Sequence, residues 1–164
     1  MIMLQQKSKM REKSKKINNV FISNGLDDTI RFAYDLAKNS KPGDIYCLEG
    51  ELGVGKTVIA KGIGKFFNVE EEITSPTFTI LKSYDTNDKD IKKVHHFDLY
   101  RIKNIDELFN IGFEEYIYDN NSIVIIEWPE IAYELMPKTI KRILISKLNN
   151  IDDSREIKLN SLNE

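Results

Sequence analysis

The chain is poor in the residues that staple or punctuate a fold: 164 residues contain one cysteine, one tryptophan, two histidines and four prolines. The lone thiol, Cys47, can make no internal disulfide, and its place in an apolar run marks it as a small core residue. Long apolar runs are missing too. Nothing approaches the roughly 20 residues that a membrane-spanning helix needs, and the N-terminus lacks the apolar core of a secretory signal. These absences point to a cytoplasmic protein with no membrane partner. No internal repeat or low-complexity linker divides the chain.

What is present is a globular composition, 41% hydrophobic and 30% charged. The charge is unevenly placed. Residues 1–16 carry six Lys/Arg against one Glu, whereas the remainder is acidic on balance. An acidic body argues against a broad nucleic-acid surface, and the basic stretch reads as a solvated, flexible arm. The expected organisation is therefore an arm over 1–16 and one domain over 17–164.

The strongest motif is Gly50-Glu51-Leu52-Gly53-Val54-Gly55-Lys56-Thr57, which has the pattern G-x-x-x-x-G-K-T. Glycines at these positions let successive backbone N–H groups turn inward onto phosphate oxygens. In such loops the lysine reaches the β- and γ-phosphates and the threonine hydroxyl ligates Mg²⁺. The surroundings agree. Ile45 to Glu49 is a short apolar run after the turn signal Lys41-Pro42-Gly43-Asp44, and Val58, Ile59, Ile63 and Phe66 follow at helical spacing.

The flanking elements are read in order. Asn19 to Ser23 is a strand, and Leu26, Ile30, Ala33, Tyr34 and Ala37 mark one face of a helix. After the phosphate loop, Phe78 to Asp85 and Ile91 to Asp98 form an antiparallel pair around a polar turn. A short helix follows from about Ile105, with Asn104 as its N-cap. Ile123 to Ile126 has the composition of a strand covered on both faces, and a helical piece runs from there to Leu135-Met136. Lys141 to Leu148 and Arg155 to Leu159 close the chain as strands around a turn at 149–154. The fold class expected is α/β, a three-layer P-loop NTPase-like sandwich with a mixed central sheet and an antiparallel strand pair.

A Mg²⁺-dependent phosphate loop needs an acid from a neighbouring strand. Asp98 and Glu127 both end strands, at the edge where open α/β sheets bind ligands. The sequence leaves open which of them meets the metal directly and which positions water. Thr77 is read either as a γ-phosphate sensor or as a turn-stabilising hydroxyl, and Arg101 either as a cation for transition-state charge or, the more common use of such a residue, as a surface or structural ion pair. His95 and His96 adjoin on a strand, point to opposite faces and are read as structural. Trp128, ahead of Pro129, is a packing anchor or a partner contact.

Gly50 to Thr57, Ser75-Pro76-Thr77-Phe78, His96-Phe97-Asp98-Leu99-Tyr100-Arg101, Ile111-Gly112-Phe113 and Glu127-Trp128-Pro129 occur in that order. The series resembles the TsaE (YjeE) family over about residues 20–160. The resemblance implies an ATPase that supports threonylcarbamoyl modification of the adenosine beside the anticodon in tRNAs reading ANN codons. It implies TsaD and TsaB as partners, with tRNA met indirectly through their complex. It also implies that Gly50, Gly53, Val54, Gly55, Lys56, Thr57 and Val58 hold the phosphates of ATP, that Thr57 and Glu127 ligate Mg²⁺, and that Lys56, Asp98 and Glu127 serve catalysis. Arg155 matches a family position near the nucleotide. Val58 departs from the pattern, standing where many members carry a second hydroxyl.

Two other classes fit less well. A small-molecule kinase would need an arginine-rich lid, and only Lys138, Lys141 and Arg142 lie between Glu127 and the body of the first closing strand. A regulatory GTPase would need N-K-x-D, whereas Asn87-Asp88-Lys89-Asp90 has those residue types in the wrong order.

Overall fold

Two apolar runs, Ile45–Glu49 (β2) and Ser122–Glu127 (β5), lie side by side and parallel at the centre of the sheet, Ile45 opposite Val124 and Leu48 opposite Glu127. The structure, a computed structural model, describes residues 19–149 and 153–161. The basic arm expected over 1–16 lies outside the described residues, as does part of the turn expected at 149–154.

Seven strands form one mixed sheet. The others are β1 (Asn19–Ser23), β3 (Leu81–Asp85), β4 (Lys93–Asp98), β6 (Lys141–Lys147) and β7 (Arg155–Ser161), and the order across the sheet is β1-β7-β6-β2-β5-β4-β3. The four inner strands, β6, β2, β5 and β4, run parallel. Antiparallel pairing closes both sides, β3 on β4 at one edge and β7 with β1 beyond β6 at the other. This is the expected mixed sheet with its antiparallel pair.

Strand periodicity divides the core. Tyr46 and Leu48 of β2, Val94 of β4, and Ile123 and Ile125 of β5 meet two helices on one face, α1 (Leu26–Ala37) and α2 (Lys56–Phe66). The alternate residues Ile45, Cys47, Phe97, Val124 and Ile126 face the other layer. That layer holds α3 (Ile105–Asn110), α4 (Phe113–Ile117) and a 3₁₀ helix (Pro129–Leu135). Successive strand residues point to opposite faces, so an unbroken apolar run supplies two cores at once. Cys47 is fully buried, and burial pushes its thiol up to about 12, with Glu49 adding to the shift; it packs as a hydrophobe.

Local chemistry explains most element ends. The Asn104 side chain accepts the Glu107 N–H at 3.2 Å, the cap expected for α3. The single helix anticipated there is two, because Gly112 at φ 68 turns the chain between α3 and α4. The strand expected from Phe78 begins only at Leu81. Residues 77–80 form a turn in which the Pro76 carbonyl accepts the N–H groups of Thr79 and Ile80, with Ile80 at φ 66. Leu26 also departs from expectation. It is 60% exposed, at the mouth of a cleft, because it opens α1 ahead of the turn that packs.

The α1–α2 crossing is close. A Cβ added at Gly62 would stand 2.5 Å from the Ala33 Cβ and 2.7 Å from the Ile30 carbonyl oxygen. Gly62→Ala gains about 1 kcal/mol of helix propensity but forces the helices apart, an overpacking cost of about 1–3 kcal/mol. The crossing contact should win, and thermal denaturation should show a lower Tm. A raised Tm would mean that the two helices do not meet at this position.

On the opposite face, His95 lies edge-on to Tyr116, its ring centroids 5.0 Å apart. The Ser83 hydroxyl is 2.7 Å from Nδ1, and Nε2 is 3.2 Å from Asp119 Oδ2. Burial lowers the imidazole from its ordinary 6.5, against the raising effect of the Asp119 hydrogen bond. The unfolded chain then binds more protons than the folded one, so the contribution is complete above about pH 6.5 and is lost as pH falls through the lowered native value. Urea midpoints should fall between pH 7.5 and 5.5. His95→Gln should flatten that slope; an unchanged slope would remove His95 as its source.

Candidate active site

The C-terminal ends of β2, β4 and β5 share one edge of the sheet. Asp98 pairs in register with Glu127, and Glu127 with Leu48, two residues before the phosphate loop. The loop links β2 to the N-terminus of α2, whose first N–H groups have no partner within the helix and suit an anion. Gly50 has no alternative at its place. Its φ is 145, and a Cβ there would lie 2.4 Å from the Ile145 carbonyl oxygen. Gly53 and Gly55 also adopt positive φ, which lets the loop fold back over its own amides.

Glu127 and Thr57 meet directly. Thr57 Oγ1 donates to Glu127 Oε1 at 2.9 Å, joining the helix after the loop to the end of β5. His96 Nε2 reaches the same oxygen at 2.9 Å from β4. Both contacts fall on Oε1, and Oε2 makes no hydrogen bond among the described residues. Asp98 is held as firmly. Its Oδ2 accepts the hydroxyls of Ser75 at 2.9 Å and Thr77 at 2.8 Å, and Oδ1 accepts the Tyr100 N–H at 3.0 Å. A carboxylate has about four lone-pair sites, so roughly one remains open. Asp98 and Glu127 are each 4% exposed.

Lys56 lies between these acids and an aromatic wall. Its Nζ donates to the Gly50 carbonyl at 2.7 Å and the Glu51 carbonyl at 2.8 Å, and stands 4.0 Å from the Trp128 ring centroid. Burial lowers its ammonium, while the charges of Glu127, Asp98 and Glu130 oppose that shift. Trp128 takes φ 57, an uncommon conformation for a bulky residue, immediately ahead of Pro129 at the start of the 3₁₀ helix. That backbone turn brings the indole over Lys56 and within 4.9 Å of the Tyr100 ring.

A cleft of about 390 Å³ gathers Lys56, Thr57, Thr77, Asp98, Glu127 and Trp128. A second, of about 260 Å³, opens on the other side of the loop between Leu26, Thr29, Val54, Val58 and Arg155. Arg155 Nε donates to the Val54 carbonyl at 3.0 Å, so the start of β7 braces the loop. Arg101 is not among the residues that line the larger cleft. Its guanidinium lies 4.4 Å from the ring centroid of the exposed Phe78. Thr77, whose role the sequence leaves open, has its hydroxyl on Asp98.

Three groups escape the sequence reading. His96 is in contact with Glu127, a placement that the i, i+2 spacing from Asp98 could have indicated, since both then share a strand face. Ser75 joins Thr77 on Asp98 through a turn with no reliable signature. Glu49, at the end of β2, binds Arg142 at 2.6 and 3.1 Å and accepts the Tyr133 hydroxyl. Burial would raise Glu49, but these hydrogen bonds outweigh it and hold the carboxyl below its ordinary range. The network ties the 3₁₀ helix that follows Trp128 to the strand that enters the phosphate loop.

The donors available for a cation are hard oxygens, from one hydroxyl and one or two carboxylates. No group of three or more His, Cys, Asp or Glu among the described residues forms a metal cage. Such a set fits Mg²⁺, which keeps waters and phosphate oxygens around it, better than Zn²⁺.

Known proteins resemble this chain in sequence and in fold. The family model for "Threonylcarbamoyl adenosine biosynthesis protein TsaE" matches residues 23–157. A tRNA threonylcarbamoyladenosine biosynthesis protein TsaE from Rickettsia conorii is 38% identical over 128 residues, covering 77% of this chain and 70% of the relative. The protein of that name from Bacillus subtilis is 34% identical over 131 residues, covering 80% and 78%. The crystal structure of Bacillus subtilis YdiB superposes with a TM-score of 0.73 at 29% identity, over 89% of this chain and 86% of that one. With the phosphate loop, the mixed sheet and the two acids arranged as described, the chain belongs to the TsaE family and has its P-loop NTPase fold.

Proposed function

We propose that this protein is a Mg²⁺-dependent ATPase required for threonylcarbamoyl modification of the adenosine beside the anticodon in tRNAs reading ANN codons. In this reading it acts with TsaD and TsaB and meets tRNA only through their complex, in the cytoplasm. The family membership and the names of the relatives support the pathway. The observation that carries the hydrolytic reading is the Thr57–Glu127 hydrogen bond beside Asp98, at the mouth of the phosphate loop.

In this reading the residues divide the work as follows. Backbone N–H groups from Gly50, Gly53 and Gly55, with the Lys56 ammonium, take the phosphates, joined by those of Val54 and Val58, which here donate to the Glu51 and Gly55 carbonyls at 3.3 and 3.1 Å. Lys56 exchanges its two loop carbonyls for phosphate oxygens, a stronger and charge-assisted partner. Thr57 and Glu127 would hold Mg²⁺, which would supply positive charge to offset the negative charge of the phosphoryl oxygens. Asp98, with about one lone-pair site left open, orients the attacking water. Leu26, Val54, Val58 and Arg155 line the cleft for the nucleoside.

Few cations serve the γ-phosphate in cis. Arg101 is stacked on Phe78, and Arg155 is spent on the loop backbone. Turnover by the isolated chain should therefore be slow. Arginines supplied in trans are worth about 10³–10⁵ in related NTPases, which leaves wide room for stimulation by TsaD and TsaB. Equal turnover with and without those partners would refute partner dependence. Multiple-turnover threonylcarbamoyl transfer to tRNA, reconstituted with and without this chain and with Thr57→Ala, tests the whole assignment.

Glu127→Ala should depress Mg²⁺-dependent hydrolysis far more than it weakens nucleotide binding, because it removes a metal ligand and none of the groups that hold phosphate. An unchanged hydrolysis rate would take Glu127 out of the site. Removing residues 1–16 should leave ATP turnover as it is, and a large loss would give the basic arm a catalytic part.

A further inference from the structure

We propose that His96 is the positioning residue that orients Glu127 for Mg²⁺, an assignment that rests on the Mg²⁺-ATP reading above. The imidazole is fully buried, with Nε2 2.9 Å from Glu127 Oε1. The same oxygen takes the Thr57 hydroxyl at 2.9 Å. Two donors from different elements, β4 and α2, thus converge on one carboxylate oxygen. They fix the rotation of the carboxylate plane and leave Oε2 uncommitted.

Hydrogen placement follows from the surroundings. His96 Nδ1 is buried and has no hydrogen-bond partner among the described residues. The tautomer with its hydrogen on Nδ1 would bury an unpaired donor and set two lone pairs against each other across 2.9 Å. The tautomer with hydrogen on Nε2 donates to Glu127 and leaves only an acceptor unpaired. An apolar side chain of similar size would pack at this position without burying an unpartnered ring nitrogen. The imidazole supplies something such a side chain lacks: a donor at a fixed distance from the strand, aimed at Oε1.

Groups that hold a metal ligand in place typically contribute about 10–100-fold to metal affinity or activity. His96 is fully buried and is not among the residues that line the cleft. Asp98 lies two residues along the same strand face, so one run of β4 would both position the metal acid and present the water-orienting acid.

The test compares the full-length wild-type chain with His96→Gln, His96→Asn and His96→Leu. A glutamine amide can occupy the place of Nε2 and donate to Glu127, whereas an asparagine amide falls short at the place of Nδ1. Binding of a fluorescent, non-hydrolysable ATP analogue is titrated with MgCl₂ and measured separately in EDTA, and thermal denaturation checks folding. His96→Asn and His96→Leu should raise the half-saturating Mg²⁺ by about 10–100-fold, with binding in EDTA unchanged, while His96→Gln should restore most of the Mg²⁺ response. An asparagine variant that matches wild type overturns the proposal. So does a glutamine variant shifted as far as asparagine, or one that fails to fold, since the ring would then serve packing. Should leucine fail to fold, the comparison of glutamine with asparagine decides. A wild-type chain whose nucleotide binding ignores Mg²⁺ instead overturns the underlying metal reading, which separates the two failures.

Discussion

Glu127 accepts a hydroxyl from the helix that follows the phosphate loop and approaches a ring nitrogen of the neighbouring strand, both on one oxygen. Much of the site depends on this junction. Through it, α2, β5 and β4 share one geometry, so the loop cannot shift against the two acids without breaking a buried hydrogen bond. The carboxylate is almost wholly excluded from solvent. Such a group is costly to bury unless partnered, and its partners lie on the elements that meet at the mouth of the phosphate loop.

The same economy governs the rest of the mouth. Asp98 is bound by two hydroxyls of the proline-led turn and by an N–H two residues ahead, which makes the turn at 77–80 part of the acid's support. Glu49, Arg142 and Tyr133 form a further tie between β2, β6 and the 3₁₀ helix. Trp128 sits between these networks with its backbone in an uncommon conformation, one face toward Lys56 and its ring tilted 49° against that of Tyr100. Strain at such a position persists where surrounding contacts over-determine it, and here a proline, a cation and an aromatic ring do so.

Much of this fold was legible before any tertiary information. Ile45–Leu48 and Ile123–Ile126 are apolar without interruption, a pattern that suits a doubly covered strand at that length, and the glycine-rich loop between strand and helix has one common use. The departures have local causes. Phe78 has strand propensity, yet the Pro76 carbonyl captures two N–H groups and delays β3 until Leu81. Leu26 fits the apolar period of α1 but lies in its first turn, beyond the sheet it would pack upon. Arg101 is drawn to an exposed ring, which no spacing rule foretells.

The sequence by itself determined most of the elements, the phosphate loop and the two strand-end acids beside it, because each rests on local conformational preference or on a short motif with a fixed chemical reason. Only the tertiary structure decided how they act together. It set Glu127, rather than Asp98, against Thr57; it gave His96 to Glu127 and the two hydroxyls to Asp98; and it laid Lys56 under Trp128. Those pairings join residues up to 72 positions apart. Their distances depend on strand order and register, which hydrophobic periodicity leaves undetermined until the sheet has formed.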